Sequence, residues 1–517
     1  MIEIHLDGTR LEIKEGTSLG DILPRRKKSC SVAIVRPVKA ELAETRNIKF
    51  YTTAGEVVVE LNDAATPFLQ EESLASLFSP QEGTGGLAFG WGDRYAASFG
   101  PFSSEITPSR TPSRYAKGDL VVGCGGYDPR RSYLIFSRAD HVADYGAAAD
   151  GGVIGKVVSG RSVLDRWTSG DAVQRIERVI SWADQSSSFI ATDDALVLED
   201  GMYIVSYVRA VAEGYSSNAI DTGMAESVEH LLMTLEDGYF LVKRSTSTHI
   251  MDQKLKGTSV AQENKASRLE GTITARTRGK SKGCIYIYTQ DNPGSPAHTV
   301  VGRVEHGIEL AKLVSEGDAF CIRIEPERLD FMGLTVEEAR GVAQARGVAI
   351  ETDEEGNDRV VVGQEPGTTL EVLAQKHASL TTVPAEKVLA VRLDDKNAPM
   401  TCMIFRDITG LKQHSIGFMP FLFNFEDVYL FKPKIASGRK INLENIPSGE
   451  VPAFMLAMTN DSRKSSGLVG VRTAPSTEFG PTSEPFGGTN IFGVLLEPEK
   501  LDAFREGDMV VVREVRS

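Results

Sequence analysis

The chain has 517 residues, and a length of this order predicts about three to five domains instead of one core. Hydrophobic residues make up 41% and charged residues 25%, which is the composition of a folded protein and argues against a disordered one. The net charge of −14 argues against a general binder of nucleic acid or anionic membranes. Apolar runs stay shorter than the roughly 20 residues that a membrane span needs, and the N-terminus alternates instead of showing a signal peptide's apolar block. We therefore expect a cytoplasmic protein.

The first 46 residues have the pattern of a small sheet with one helix. Two alternating strands are joined at Asp7-Gly8, Thr17 is expected to cap a short helix, and the segment SVAIVRP predicts a further strand. This order resembles the β-grasp domain of ubiquitin-like and sulphur-carrier proteins. A sulphur carrier needs a free terminal Gly-Gly, whereas this chain continues, so the resemblance implies docking of other proteins.

The chain repeats one pattern three times. Each copy ends in a tail that consists of a strand with an embedded glycine, a helical turn, a Gly-Asp turn and a final strand, and a pair of alternating strands precedes each tail. The tails occupy residues 152–171, 299–318 and 490–508, and the strand pairs occupy residues 117–140, 270–291 and 448–473. The tail glycines keep nearly the same spacing, so we expect them to mark close backbone approaches or left-handed turns instead of ligand contacts.

The first copy carries the most specific pattern. It has a hairpin around Thr53-Ala54-Gly55, a Lys-Gly-Asp turn and a Trp91-Gly92 segment. This order is similar to the cyclophilin barrel, and above all to compact prokaryotic cyclophilin-like domains. The resemblance implies three cyclophilin-like barrels, which we place at residues 47–186, 187–330 and 385–517.

Residues 331–384 lie between the second and third copies and follow a different pattern. Thr335 and Glu338 have the spacing of a capping box, an amphipathic helix follows, and two strands are expected to form a hairpin around the acidic turn at residues 353–358. The segment resembles a PASTA module. Such modules elsewhere are extracellular tandem arrays, so their cell-wall ligand is not carried over, and we expect a rigid spacer or a docking surface.

Together these patterns predict a multidomain, mainly β (α+β) protein, with an N-terminal β-grasp domain at residues 1–46, three cyclophilin-like β-barrels and one small PASTA-like α+β module. This order of modules resembles the methanogenesis marker protein 3 family of methanogenic archaea. The resemblance implies a role tied to methyl-coenzyme M reductase, the nickel F430 enzyme of methanogenesis, in the complex that matures or reductively activates it. The resemblance brings no catalytic residue with it.

The sequence lacks the motifs of common enzymes and metal sites. It contains no HExxH, no CxxC, no P-loop and no dinucleotide fingerprint. We therefore expect no metal and no cofactor. The five cysteines are isolated from one another in sequence, which predicts buried or unreactive thiols; they are Cys30, Cys124, Cys284, Cys321 and Cys402.

The cyclophilin resemblance raises prolyl isomerase activity as the enzymatic alternative. In cyclophilins an arginine in an FHR segment polarises the prolyl amide nitrogen, beside an aromatic floor and a glutamine. The first copy offers Arg94, and the third offers His414 near a GFM stretch, but neither has the FHR segment. We expect no isomerase activity, with Arg94 and His414 as the weak catalytic candidates.

Aromatic residues in two segments are candidates for binding. In the first copy, glycines at 90, 92 and 100 predict an irregular loop, and aromatic residues on loops are common at interfaces. In the third copy, the phenylalanines from Phe418 to Phe425 include a period-two run, which predicts one buried strand face, with an exposed groove as the alternative. The candidate binding residues of the first copy are Trp91, Arg94, Tyr95, Phe99 and Phe102.

We therefore predict a non-catalytic assembly or activation factor of methanogenesis that docks other proteins, with methyl-coenzyme M reductase and its activation components as partners, and neither nucleic acid nor membrane. The alternatives are a peptidyl-prolyl cis-trans isomerase or folding chaperone, and a carrier of a small ligand or cofactor in one barrel cavity. The sequence leaves open which domain docks which partner, and in what stoichiometry.

Overall fold

The computed structural model describes residues 1–24, 30–35, 42–64, 87–182, 188–216, 219–436 and 438–515. The chain forms two compact units, Met1–Arg328 and Leu329–Ser517. Within the described residues, no helix is both long enough and apolar enough to cross a membrane. The helices are α1 (Leu19–Ile22), α2 (Arg161–Arg166), α3 (Ala225–Leu235), α4 (Ile308–Leu313), α5 (Val336–Ala345), α6 (Thr369–Gln375) and α7 (Pro399–Thr409).

The strands of the first unit form an N-terminal sheet, a closed barrel called barrel 1, a two-stranded ribbon and a large sheet called the middle sheet. In chain order they are β1 (Ile2–Leu6), β2 (Thr9–Ile13), β3 (Val32–Val35), β4 (Leu42–Thr52), β5 (Gly55–Leu61), β6 (Leu87–Gly92), β7 (Ala96–Phe102), β8 (Ser113–Tyr115), β9 (Asp119–Cys124), β10 (Ser132–Ser137), β11 (His141–Ala143), β12 (Val153–Ser159), β13 (Ala172–Trp182), β14 (Phe189–Ala191), β15 (Tyr203–Val205), β16 (Tyr207–Ala212), β17 (Tyr239–Leu241), β18 (Arg244–Ser245), β19 (His249–Asp252), β20 (Thr272–Arg276), β21 (Ile285–Tyr288), β22 (His298–His306) and β23 (Ala319–Glu325).

The N-terminal sheet has five strands in the order β14-β3-β15-β1-β2, so two of them come from residues 189–205. Strand β15 lies between β1 and β3, parallel to the first and antiparallel to the second. Its Ile204 belongs to the same buried core as Ile4 and Ile34. The sheet therefore differs from the continuous β-grasp domain expected at residues 1–46, because its central strand follows barrel 1 in the chain and local sequence patterns do not reveal such a partner.

Helix α1 is capped by Ser18, so the prediction of Thr17 is wrong by one residue. The Asp21 amide donates to Ser18 Oγ at 3.3 Å, and the Ser18 amide donates to Asp21 Oδ2 at 2.9 Å, which completes a capping box. The hydrogen bonds from the Ser18 amide and hydroxyl hold the pKa of Asp21 below its usual value. Ser18 is preferred because the acidic partner that the box needs lies three residues after it.

Barrel 1 is closed by eight strands in the order β10-β7-β6-β13-β4-β5-β12-β9. Strands β4 and β5 form the predicted hairpin at Thr53-Ala54-Gly55. Aromatic rings fill the interior: Phe99 lies edge-on to Trp167 with ring centroids 4.8 Å apart, and both side chains are almost completely buried. The interior of barrel 1 is therefore a packed core, and its candidate site lies on the outside.

The middle sheet has eight strands in the order β17-β23-β16-β22-β20-β21-β19-β18. Its two edge strands, β17 and β18, are consecutive in the chain, with Val242 and Lys243 between them. The Val242 amide donates to Asp318 O and the Lys243 amide donates to Met251 O, each at 2.9 Å. The sheet therefore curves until its edges meet at this short segment, which makes it an interrupted version of the barrel that the sequence predicts.

The second unit contains a helix–strand module at residues 329–383 and a closed barrel of seven strands, called barrel 3, in the order β27-β32-β30-β31-β29-β28-β33. In chain order its strands are β24 (Ala349–Thr352), β25 (Val360–Glu365), β26 (His377–Val383), β27 (Val388–Leu393), β28 (Ile416–Phe425), β29 (Val428–Phe431), β30 (Met455–Thr459), β31 (Val469–Arg472), β32 (Thr489–Leu495) and β33 (Met509–Glu514).

The helix–strand module places α5 and α6 beside a three-stranded sheet in the order β24-β26-β25. Thr335 caps α5 as predicted, and Glu338 completes the capping box. The hairpin predicted around residues 353–358 is wrong, because β24 and β25 both pair with β26 and not with each other. Helix α6 carries the chain back, so that β26 runs between the two strands that the sequence predicts as neighbours.

The phenylalanine run of the third copy lies on β28 and only part of it is buried. Phe421 is in the core of barrel 3, whereas the side chains of Phe423 and Phe425 are 40% and 39% exposed. The register between β28 and β29 shifts between Phe421 and Phe423. The prediction of one buried face is therefore wrong for the last two rings, since a bulge changes which face of a strand the following side chains occupy.

The tail glycines have the same structural role in all three copies. Gly155, Gly302 and Gly493 lie on β12, β22 and β32, and a Cβ atom at these positions would come within 2.6 to 2.7 Å of a backbone oxygen of the neighbouring strand. The predicted close approach is therefore confirmed. The glycines of the Gly-Asp turns have positive φ angles of 105°, 98° and 88°, which confirms the predicted left-handed turns; they are Gly170, Gly317 and Gly507.

Candidate functional site

The outer face of barrel 1 carries a pocket of about 220 Å³, here called the aromatic pocket. It lies where β9 ends, where β10 begins and where glycine-rich turns connect them, and Cys124 and four glycines complete its lining. Its main side chains are Trp91, Tyr127, Tyr133, Ile135, Asp144 and Tyr145. A largely aromatic concave surface with few polar groups is typical of a binding site.

Tyr133 projects from β10 to the outer face and forms the floor of the pocket, because nearby glycines leave room for its ring. A Cβ atom at Gly90, Gly100 or Gly125 would lie 2.9, 2.9 or 3.0 Å from a ring carbon of Tyr133. Gly90 and Gly100 belong to β6 and β7, which form an antiparallel pair. The loop predicted from these glycines is therefore wrong: they make space for Tyr133 within paired strands, whose register shifts beside Gly90 and Gly100.

Trp91 and Tyr145 form one wall of the pocket, with ring centroids 5.8 Å apart. The Tyr145 hydroxyl donates to His141 Nε2 at 2.5 Å, and His141 Nδ1 donates to Ala139 O at 2.8 Å. A carbonyl oxygen can only accept, so the proton of the neutral imidazole lies on Nδ1 and leaves Nε2 as the acceptor. Burial raises the pKa of Tyr145, so its phenol stays protonated at neutral pH.

Tyr127 and Asp144 form the polar rim of the pocket. The Tyr127 hydroxyl donates to Asp144 Oδ2 at 2.7 Å, and the Gly146 amide donates to Asp144 Oδ1 at 2.9 Å. These hydrogen bonds hold the pKa of Asp144 below its usual value, so its carboxylate is charged at neutral pH. The guanidinium of Arg110 lies 4.6 Å from the centroid of the Tyr127 ring and partly offsets that charge.

The five predicted binding residues of the first copy divide between the two faces of the barrel. Trp91 lines the aromatic pocket, and Tyr95 packs on His141 beside it, with ring centroids 5.6 Å apart. Arg94 is exposed, and its guanidinium lies 4.4 Å from the Tyr95 ring centroid. The other two residues, Phe99 and Phe102, point into the core of barrel 1. The structure therefore brings three of the five together and separates two.

Arg138, which follows β10, is engaged in structural contacts. Its Nε donates to Leu164 O at 2.6 Å, its Nη1 to Asp93 O at 2.8 Å and its Nη2 to Trp167 O at 2.6 Å. Three backbone carbonyls thus hold the guanidinium, which ties the turn after β6 to helix α2. Burial lowers the pKa of Arg138. The three hydrogen bonds occupy its guanidinium, so it is not available to a substrate.

The isomerase candidate of the third copy, His414, lies just before β28 in the second unit. Its Nδ1 is 2.8 Å from Asp330 Oδ2, and the neighbouring Ser415 hydroxyl donates to Met332 O at 2.7 Å. These contacts join the helix–strand module to barrel 3 within that unit. Arg94 and His414 therefore take part in contacts of their own, and neither lines the aromatic pocket.

Sequence reasoning missed most of the aromatic pocket. Tyr127, Tyr133, Asp144 and Tyr145 are spread over turns and short strands that carry no recognisable motif. One signal was present: on β10 both alternating sets of side chains are apolar, Tyr133 and Ile135 on one face and Leu134 and Phe136 on the other. A strand whose outer face is also apolar is covered or binds something.

Among the residues that the structure describes, no group of three or more histidine, cysteine, aspartate or glutamate side chains could hold a metal ion. The acidic and imidazole groups of the aromatic pocket are instead hydrogen-bonded to phenols and to the backbone. The pocket can therefore bind an apolar or flat group through its rings and orient it through Asp144.

Barrel 3 and the whole chain are each similar to known proteins. Residues 389–515 match the family described as "Putative peptidyl-prolyl cis-trans isomerase domain". The chain is 34% identical to a UPF0288 protein of Methanosarcina barkeri over 99% of this chain and 98% of that one, and 29% identical to one of Methanococcus aeolicus over 97% and 98%. A solved cyclophilin from Hirschia baltica is 12% identical, with a TM-score of 0.20 over 32% of this chain and 83% of that one. Since the similarity to these methanogen proteins extends over almost the full length, the chain belongs to the UPF0288 protein family.

Proposed function

We propose that this protein is a non-catalytic assembly or activation factor of methanogenesis, in the complex that matures or reductively activates methyl-coenzyme M reductase. In this proposal the aromatic pocket of barrel 1 holds a segment of a partner protein. The observation that carries this proposal is the pocket itself. It is an aromatic concave surface, and its polar side chains are hydrogen-bonded to neighbouring groups of the same chain.

The composition of the pocket supports protein docking. Tryptophan and tyrosine dominate the binding energy of protein interfaces, because they bury large rigid rings and keep a polar group for orientation. Trp91 is 37% exposed, so part of its ring is still available for a partner to cover. Asp144 at the rim would accept a hydrogen bond from the backbone or side chain of a bound segment.

The bonding of the polar groups supports a role without catalysis. Prolyl isomerisation in cyclophilins uses an arginine aimed at the prolyl amide nitrogen. In barrel 1, Arg110 and Arg94 stack on tyrosine rings, and Arg138 is held by three carbonyls. The relatives from methanogens, together with the resemblance of the module order to methanogenesis marker protein 3, support the link to methyl-coenzyme M reductase.

Co-purification tests this proposal. The tagged full-length chain is produced in a methanogen, and mass spectrometry quantifies the subunits of methyl-coenzyme M reductase and its activation components that co-purify. We expect Trp91→Ala to lower their recovery by about tenfold, the size of effect that loss of an interface tryptophan has.

The matched control is Phe423→Ala, which removes an aromatic ring of similar exposure from barrel 3 and should leave the recovery unchanged. Circular dichroism of both variants verifies their folding. The proposal fails if the wild-type chain recovers none of these components, or if the folded Trp91→Ala variant recovers as much as the wild type.

A second candidate function is prolyl isomerisation by barrel 3, favoured by the family match over residues 389–515. A protease-coupled assay with a proline-containing peptide tests it on the purified full-length chain. We expect no turnover above the uncatalysed rate, because the one histidine of the GFM segment is bonded to Asp330 and has no arginine beside it. Turnover that disappears in His414→Ala would establish an isomerase in barrel 3, and turnover that disappears in Arg94→Ala would establish one in barrel 1.

A further inference from the structure

Two cysteines that are 291 positions apart in sequence meet in the folded first unit. Cys30 Sγ and Cys321 Sγ lie 2.8 Å apart. Cys30 comes two residues before β3 of the N-terminal sheet, and Cys321 lies in β23 of the middle sheet. We propose that Cys30 and Cys321 form a reversible disulfide that fixes the N-terminal sheet to the middle sheet.

The backbone beside the two sulfur atoms is already held in place. The Ser31 amide donates to Ala319 O at 2.7 Å, which joins the segment of Cys30 to the start of β23. Cys321 lies in register with Tyr207 of β16 on one side and with Tyr239 of β17 on the other. Because both cysteine backbones are fixed by neighbouring strands, bond formation requires side-chain movement and little further ordering of the chain.

The two thiols differ in their access to solvent. Cys30 is 1% exposed, whereas Cys321 is half-buried and therefore the one that an external disulfide reaches. The thiolate of Cys321 attacks one sulfur of glutathione disulfide, so that a mixed disulfide forms and one glutathione leaves. The thiolate of Cys30 then attacks Cys321 Sγ, and the second glutathione leaves. Two protein thiols are oxidised, one glutathione disulfide is reduced to two glutathione molecules, and these take up the two protons.

The other cysteines have different surroundings. Cys124 Sγ lies 3.3 Å from Ser132 Oγ, and Cys402 Sγ donates to Phe492 O at 3.3 Å. Burial raises the pKa of the Cys402 thiol to about 12, which keeps it protonated and unreactive at neutral pH. The prediction of buried, unreactive thiols therefore fits Cys402, but Cys30 and Cys321 are not isolated from each other in the structure.

Peptide mapping tests the disulfide. The folded full-length chain is incubated with glutathione disulfide, its remaining thiols are alkylated, and it is digested with trypsin without reductant. Cleavage after Lys28, Lys39, Lys312 and Arg323 gives peptides 29–39 and 313–323, each with one cysteine. We expect these peptides to be recovered as one species, lighter by two hydrogen atoms than their sum, and to separate after treatment with dithiothreitol.

Variants and a stability measurement complete the test. The linked species should be lost in Cys321→Ser and in Cys30→Ser and kept in Cys124→Ser. Oxidation should raise the thermal midpoint of the wild-type chain by about 4 °C, since the disulfide closes a long loop, and should not change that of Cys321→Ser. The proposal is overturned if the folded chain yields no linked peptide, if linkage requires denaturant, or if native mass spectrometry finds a metal ion bound to the reduced pair.

Discussion

Tyr145 shows how one residue of the aromatic pocket combines packing with a polar contact. Its ring forms the wall with Trp91, while its hydroxyl donates to His141 Nε2. We expect Tyr145→Phe to keep the wall and to lower the free energy of unfolding by about 1 kcal/mol, because it removes one part-buried hydrogen bond. Urea titration followed by tryptophan fluorescence measures this difference.

The difference should also depend on pH. Burial raises the pKa of Tyr145 in the folded chain above the value near 10 of an unfolded phenol. The stabilisation is therefore fully present below about pH 10 and is lost as the pH rises through the folded value. Tyr95→Phe, which removes a hydroxyl that bonds to the exposed Arg94, is the control. A wild-type advantage that stays constant from pH 8 to pH 11 would contradict this account.

The sequence does not reveal which aromatic residues of the β6–β7 hairpin face the core. The sequence groups Trp91 and Tyr95 with Phe99 and Phe102 as candidate binding residues, but the last two point into the core of barrel 1. A hairpin with aromatic residues on both faces does not reveal which face is inside. That choice depends on the register with β10 and β13, which come from more distant parts of the chain.

Among the elements, the repeated tails are the part that the sequence predicts best. Their glycines are recognisable because each one has to fit beside a neighbouring strand, and three copies give the same spacing. The helix–strand module shows the opposite case: its capping box is local and correctly predicted, but its hairpin is wrong because β26 enters the sheet between β24 and β25. Sequence patterns predict that consecutive strands pair with each other. They do not predict that a later strand lies between them.

The close approach at Gly493 leads to a stability prediction for barrel 3. A Cβ atom there would lie 2.6 Å from Arg392 O on the paired strand β27. Because backbone atoms cannot yield as a flexible side chain can, we expect Gly493→Ala to destabilise the second unit by about 1 to 3 kcal/mol. Gly341→Ala is a matched control in the same unit, since Gly341 lies inside α5 with no atom within 4 Å of its Cβ position.

The control should be neutral or stabilising by up to about 1 kcal/mol, because alanine favours the helix more than glycine does. Thermal unfolding of the full-length variants, followed by calorimetry, compares the two. An unchanged transition in Gly493→Ala would show that β27 and β32 separate without cost, contrary to the role assigned to the repeated glycine.

For the molecule as a whole, the sequence predicts the kinds of domain and their order better than the residues at which each domain begins and ends. The mainly β architecture and the three related copies are present in the structure, as two closed barrels and one interrupted barrel. The N-terminal sheet, however, takes β14 and β15 from beyond barrel 1, so the limits expected at residues 46 and 186 divide one sheet between two regions. Short strands such as β14 and β15, of three residues each, are too brief for any periodicity to identify them.

This arrangement of the N-terminal sheet also sets the order in which the chain can fold as it is synthesised. Glu3 and Asp200, which are hydrogen-bonded in the finished sheet, are 197 positions apart, so a ribosome adding about 5 to 20 residues per second needs about 10 to 40 s to make the missing strands. The hairpin of β1 and β2 emerges first but waits for β15, its parallel neighbour, while barrel 1 is made in between. The hairpin of β1 and β2 is therefore completed only after barrel 1 has been made, and its apolar residues remain uncovered until then.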